Sequence, residues 1–90
     1  MRIEFDPTKR EKTLRERGLD FAQADKVFTG INVTKEDIRF NYGETRLITI
    51  GLLEQRTVVL VWTPRGEARR IISMRYANEK EIIKYNSDLD

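Results

Sequence analysis

The chain contains no cysteine and no histidine. Without cysteine there is neither a disulfide framework nor a thiolate metal site, which fits a reducing compartment, and a cytoplasmic location is expected. The missing histidine excludes more. It removes the usual proton shuttle near neutral pH, and with it Ser-His triads, two-histidine nuclease mechanisms and histidine-ligated zinc. Acid–base chemistry is left to Glu, Asp, Lys, Tyr or the backbone. Long apolar runs are also lacking. The charged N-terminus MRIEFDP is not a signal peptide, and no segment approaches a membrane span. The five glycines are scattered and form no phosphate-cradling loop. Glu79 and Glu81, the only paired carboxylates, point apart on a helix at i,i+2, so a two-metal nuclease is not expected. No metal and no other cofactor is expected.

What is present is charge, unevenly placed. Ninety residues form one expected domain, 1–90, with a single modest core. The net charge of +2 hides an asymmetry. Residues 1–45 carry nine basic and nine acidic side chains, whereas residues 46–76 carry six and two. Those six are all arginine: Arg46, Arg56, Arg65, Arg69, Arg70 and Arg75. From residue 77 the balance reverses, with two basic and four acidic groups. A basic centre with an acidic end suits nucleic acid or an acidic partner, or is simply a solvated surface. Arginine offers a planar fork of donors that fits phosphate oxygens and stays charged in any protein environment.

Hydrophobic periodicity predicts an α+β architecture. Arg2 to Phe5 alternates as a first, edge strand. Asp6-Pro7 starts a very polar helix to about Arg17, which Gly18 ends. Asp20 and Gln23 have capping-box spacing before a short helix with Phe21, Ala24 and Phe28 on one stripe, closed at Gly30. Residues 31–45 are ambiguous, with Ile31 and Val33 compatible with a short strand and Asn41 to Glu44 with a turn. Arg46–Gly51, Arg56–Trp62 and Ala68–Arg75 then read as antiparallel strands joined by short loops. A final helix places Ile82, Tyr85 and Leu89 on one stripe, with a capping box from Asn78 to Glu81.

The candidate site residues come from this arginine-rich sheet. On a regular strand Ser73 and Arg75 share a face and Arg70 takes the other, so the two arginines serve one site only if a bulge intervenes. Arg75 either binds phosphate or pairs with Glu79 or Glu81 to anchor the last helix. Glu44 either acts as a base beside Arg46 or forms a structural ion pair with it. Tyr76 is a candidate for base stacking. Trp62 is expected in core or rim packing, and Tyr85 on the sheet with its hydroxyl outside.

The ordered set Phe5-Asp6-Pro7-x-Lys9, Leu14, Gly18, Phe21, Ala24, Val27-Phe28, Asp37-x-Arg39-x-x-Tyr42-Gly43-Glu44-x-Arg46, Gly51, Arg56, Arg70-Ile71-Ile72-Ser73-x-Arg75-x-Ala77, Glu81 and Tyr85 resembles the BrnT-type toxins of bacterial type II toxin–antitoxin systems. The resemblance implies a RelE-like fold and a ribonuclease that blocks translation. It implies a BrnA-type antitoxin with a ribbon-helix-helix DNA-binding domain, and operator DNA bound mainly through that antitoxin. It points to Arg46, Arg70 and Arg75 for phosphate, with Glu44 or Glu81 as proton acceptor. Arg17, Arg56, Arg69 and Tyr76 are the expected RNA-binding residues. The family commonly reads N-L-x-K-H-G where this chain has Thr13-Leu14-Arg15-Glu16-Arg17-Gly18. Arg17 replaces the histidine and could hold phosphate but not act as a base near pH 7. The alternative to a ribonuclease is a catalytically weakened, toxin-like binding module.

Overall fold

A computed structural model describes residues 1–89. Its elements run β1 (Arg2–Glu4), α1 (Pro7–Arg17), α2 (Ala24–Thr29), β2 (Asn32–Glu36), β3 (Leu47–Leu53), β4 (Arg56–Arg65), β5 (Ala68–Tyr76) and α3 (Glu79–Asp88). The α+β expectation holds. One five-stranded sheet has the order β1-β5-β4-β3-β2. β2 to β5 form an antiparallel meander, but β1 runs parallel to β5, so the sheet is mixed. The parallel pair arises because the chain leaves β1 through α1 and α2 and re-enters the sheet at its far edge.

Local chemistry sets the helix ends. The Asp6 side chain accepts from the Thr8 amide at 2.8 Å and Pro7 opens α1. Gly18 ends it in the left-handed region at φ 71°, its amide donating to the Leu14 carbonyl. Asp20 then caps a 3₁₀ turn at Phe21–Gln23 through the Ala22 amide, rather than forming a box with Gln23. The same carboxylate takes two bonds from Arg10 at 2.7 and 2.9 Å, tying α1 to this turn. The ambiguous stretch resolves into β2, whose partner is β3.

Two apolar layers flank the sheet. On one side Phe21, Ala24, Val27 and Phe28 pack on Val58, Leu60, Trp62, Ile71 and Met74. Trp62 is a core residue; it meets Phe28 edge-on at 5.2 Å, and its indole N–H donates to the buried Thr49 hydroxyl at 2.8 Å. Gly51 lets α2 approach: a Cβ there would lie 2.9 Å from Val27 Cγ1. On the other side a smaller cluster of Ile50, Val59 and Tyr85 anchors α3. The Tyr85 hydroxyl is not left to solvent but donates to the Ile31 carbonyl at 2.9 Å. α3 covers only one end of this face.

Candidate nucleic-acid interface

The geometry of the site turns on one extra residue in β5. Val61 lies opposite Ser73, and Trp62 opposite Ile71, so Ile72 has no partner in β4. This bulge resets the alternation of β5. Arg75 faces Val59 and Arg70 faces Thr63, both on the α3 side of the sheet. Met74 and Ile71 stay in the opposite, helix-side core. The bulge condition set by the sequence is therefore met, and Arg70, Ser73 and Arg75 share one face. Arg46, one residue before β3, continues the alternation of Ile48 and Ile50 onto that face as well.

A groove of about 700 Å³ opens on this side. Its floor is Ile48, Ile50, Val59 and Val61; its walls include Ser73 and Arg75 on one side and the segment Lys35 to Arg39 on the other. The start of α3 closes one end with Asn78, Lys80 and Glu81. An apolar floor with Arg75 on one wall and Lys35 and Arg39 on the other can hold a base against the sheet and its phosphates at the rim.

Arg46, Glu44 and Arg70 lie outside the lining of this groove, and across the face the charges are partly paired. Glu81 holds Arg75 bidentately at 2.8 and 2.7 Å, so Arg75 does anchor the last helix. Glu81 also accepts from the Asn78 amide, completing the expected capping box. The Arg75 guanidinium pulls the Glu81 carboxyl down to about 2, and Glu81 in turn raises Arg75. A carboxylate so engaged is a weak proton acceptor. Arg75 nevertheless keeps 43% of its side chain exposed. Glu44 contacts Arg46 once, at 3.2 Å, and the Arg46 guanidinium lies 4.1 Å from the centre of the Tyr42 ring. The structural ion pair is therefore formed, with one Glu44 oxygen left out of it. Arg70 makes no ion pair or side-chain hydrogen bond among the described residues.

The other candidates lie elsewhere. Arg69 stacks on Phe28 at 4.5 Å and Trp62 at 4.8 Å, on the helix side. Arg56 stacks on Tyr76 at 3.8 Å, which occupies the ring face a base would need, and Tyr76 packs against the same core. Arg17 donates to the Met74 carbonyl at 2.9 Å, satisfying a backbone acceptor of β5 beyond the short β1.

Reading arginines alone missed several residues. Asp37 is buried, and four bonds converge on its carboxylate: the Arg39 side chain twice at 2.8 Å, the Arg39 amide, and the Tyr42 hydroxyl at 3.0 Å. The Arg39 guanidinium holds that carboxyl far below its usual range. This fixes Arg39 on the groove wall, where its charge is felt at Arg75. The Asp37-x-Arg39 spacing was the available signal. Lys9 and Lys12, one helical turn apart on α1, line a second groove of about 360 Å³ with Arg17, Ile72 and Ser73. No group of three or more His, Cys, Asp or Glu side chains converges among the described residues, and none of the helices there could cross a membrane.

A family model described as ribonuclease toxin, BrnT, of type II toxin–antitoxin system matches residues 5–81. The match begins one residue after β1 and takes in α1, α2, β2 to β5 and the first three residues of α3, Glu81 included. No curated protein matches the chain.

Proposed function

This chain belongs to the BrnT family of ribonuclease toxins of type II toxin–antitoxin systems, and we propose that it cuts RNA internally on the open, α3-side face of its sheet, without a divalent metal, and so stops translation. Residues 1–90 act as one toxin domain in this reading. The observation that carries it is the bulge at Ile72, which turns Arg70 onto the face of Ser73 and Arg75. The RNA's own 2′-hydroxyl gives up its proton and attacks the adjacent phosphorus, and the bond to the 5′-oxygen of the next nucleotide breaks, that oxygen taking a proton from water. Arg46, Arg70 and Arg75 stabilise the negative charge that builds on the pentacoordinate phosphate. Of the two candidate proton acceptors Glu44 is the less engaged, with one bond to Arg46, whereas Glu81 is held by Arg75 and by the Asn78 amide. Arg56, Arg69 and Tyr76 lie off this face and serve packing or a partner; Arg17 meets RNA at the edge of β5.

Toxins of this family pair with an antitoxin, and for this chain a BrnA-type partner with a ribbon-helix-helix domain fits best. Such a partner would cover the groove with an acidic or amphipathic segment and supply most of the contact with operator DNA. Purified toxin is expected to cut single-stranded RNA in EDTA, leaving cyclic-phosphate ends. Intact RNA after incubation, together with unimpaired growth on expression, would refute the reading. A second reading has its own observation: Arg17 stands in the family's histidine position and is already bonded to Met74. On that reading the chain is a weakened toxin that binds antitoxin or nucleic acid without cutting. RNA binding without cleavage would select it.

A further inference from the structure

The two grooves described above share one lining residue. Ser73 borders both, so the α1 groove and the sheet groove lie on either side of the bulged strand. On the α1 side Lys9 and Lys12 are exposed and make no ion pair among the described residues; Glu16 is the only acid in that lining. On the far side Arg39 is fixed by Asp37, and its side chain stays 64% exposed. Cations without partners at one end and a pre-oriented guanidinium at the other, with an apolar floor between, describe an extended path. A duplex is poorly served by this shape, because its bases are stacked inside and cannot reach the floor.

Building on the proposed ribonuclease reading, we infer that a single strand of RNA crosses Ser73 along one continuous track, its phosphates held by Lys9 and Lys12 at one end and by Arg39 at the other. The scissile phosphate lies between them, beside Arg70 and Arg75. The toxin therefore grips several nucleotides on both sides of the cut, and the lysines of α1 form a binding subsite distinct from the reacting centre. Arg17 borders that subsite, which gives the arginine at this position a use that does not depend on proton transfer.

The test is the salt dependence of binding to a 2′-O-methyl oligoribonucleotide, which lacks the attacking hydroxyl and stays intact. Each phosphate neutralised on a single strand contributes about 0.7 to the slope of log K against log salt. The double variant Lys9→Ala/Lys12→Ala is expected to lower that slope by about 1.4 and to weaken binding at low salt. Both side chains are solvent-exposed on a helix, and alanine is a strong helix former, so the fold is retained. Lys26→Ala, on α2 across the sheet, is the control and keeps the wild-type slope. Wild-type affinity also rises with oligonucleotide length until the track is filled. An unchanged slope in the double variant overturns the track, as does weakened binding to antitoxin alone. Failure of the wild type to bind or cut any RNA instead overturns the ribonuclease reading beneath it.

Discussion

At the scale of single residues, the arginines divide by what already holds them. Arg69 and Arg56 lie over aromatic rings, and Arg75 and Arg46 face carboxylates. Arg70 has no such partner among the described residues, although it sits on the same face as Arg75. The two therefore predict different phenotypes. Arg70→Ala is expected to cut RNA about 10²–10³-fold more slowly. Its folding stability should stay within about 0.5 kcal/mol of wild type. Arg75→Ala is expected to lose cleavage similarly and also about 1–2 kcal/mol of stability, because Glu81 keeps its charge without its partner. Cleavage assays beside urea denaturation separate these outcomes; an Arg70→Ala protein that cuts like wild type would remove it from the site. The sequence identified these arginines by composition and resemblance. It did not identify Asp37 as the buried anchor of Arg39, because a carboxylate two residues from an arginine is commonplace on a surface. Only its burial, with four bonds around it, marks it out.

At the scale of elements, α3 is attached chiefly through Tyr85, whose ring packs and whose hydroxyl donates to the Ile31 carbonyl, and through one ion pair. Tyr85 packs on Ile50 and Val59, and the Asn78–Glu81 box is joined to β5 by Arg75. The Glu81 carboxyl titrates near 2 in the fold against 4.5 for the free group, so the unfolded chain binds its proton first as pH falls. The stabilisation is complete above about pH 4.5 and disappears as pH drops towards 2. Between pH 7 and pH 3 the wild type is expected to lose roughly 1 kcal/mol more stability than Glu81→Gln, after allowing for solvent screening. Equal losses measured by urea denaturation would mean that the pair adds nothing. The hairpin between β3 and β4 has a different weakness. Glu54 and Gln55 both take positive φ, at 50° and 71°, in a two-residue turn that favours Asn-Gly. Gln55→Gly is expected to stabilise the fold by about 0.5–1 kcal/mol, visible as a Tm rise of a few degrees. An unchanged or lower Tm would show that the turn carries no strain. The Asn78–Glu81 capping box, the αL glycine and the three central strands were legible because each depends on neighbours a few residues apart. The strand β2 was not, since Asn32–Glu36 is largely polar and is held in place by β3.

At the scale of the whole molecule, a small sheet with one face sealed by α2 and the other left half open is suited to a partner on the open side. The chain buries a limited core, so a ligand that binds only the folded state adds visibly to its stability. Bound antitoxin at about 1,000 times its dissociation constant is expected to add about 4 kcal/mol, so Tm should climb with antitoxin concentration. A Tm indifferent to antitoxin in thermal unfolding would argue against the groove as its docking face. By itself the sequence determined the chemistry available here: no thiol, no imidazole, arginine in the sheet, helices with their caps, and an α+β order of elements. Those properties follow from residue identity and from periodicities of two and 3.6 residues, which act locally. The tertiary structure alone decided which arginines work together. A bulge is fixed by the register of β4 against β5, and register depends on how two distant segments bury their apolar faces. That one displaced residue, Ile72, puts Arg70 on the face of Ser73 and Arg75.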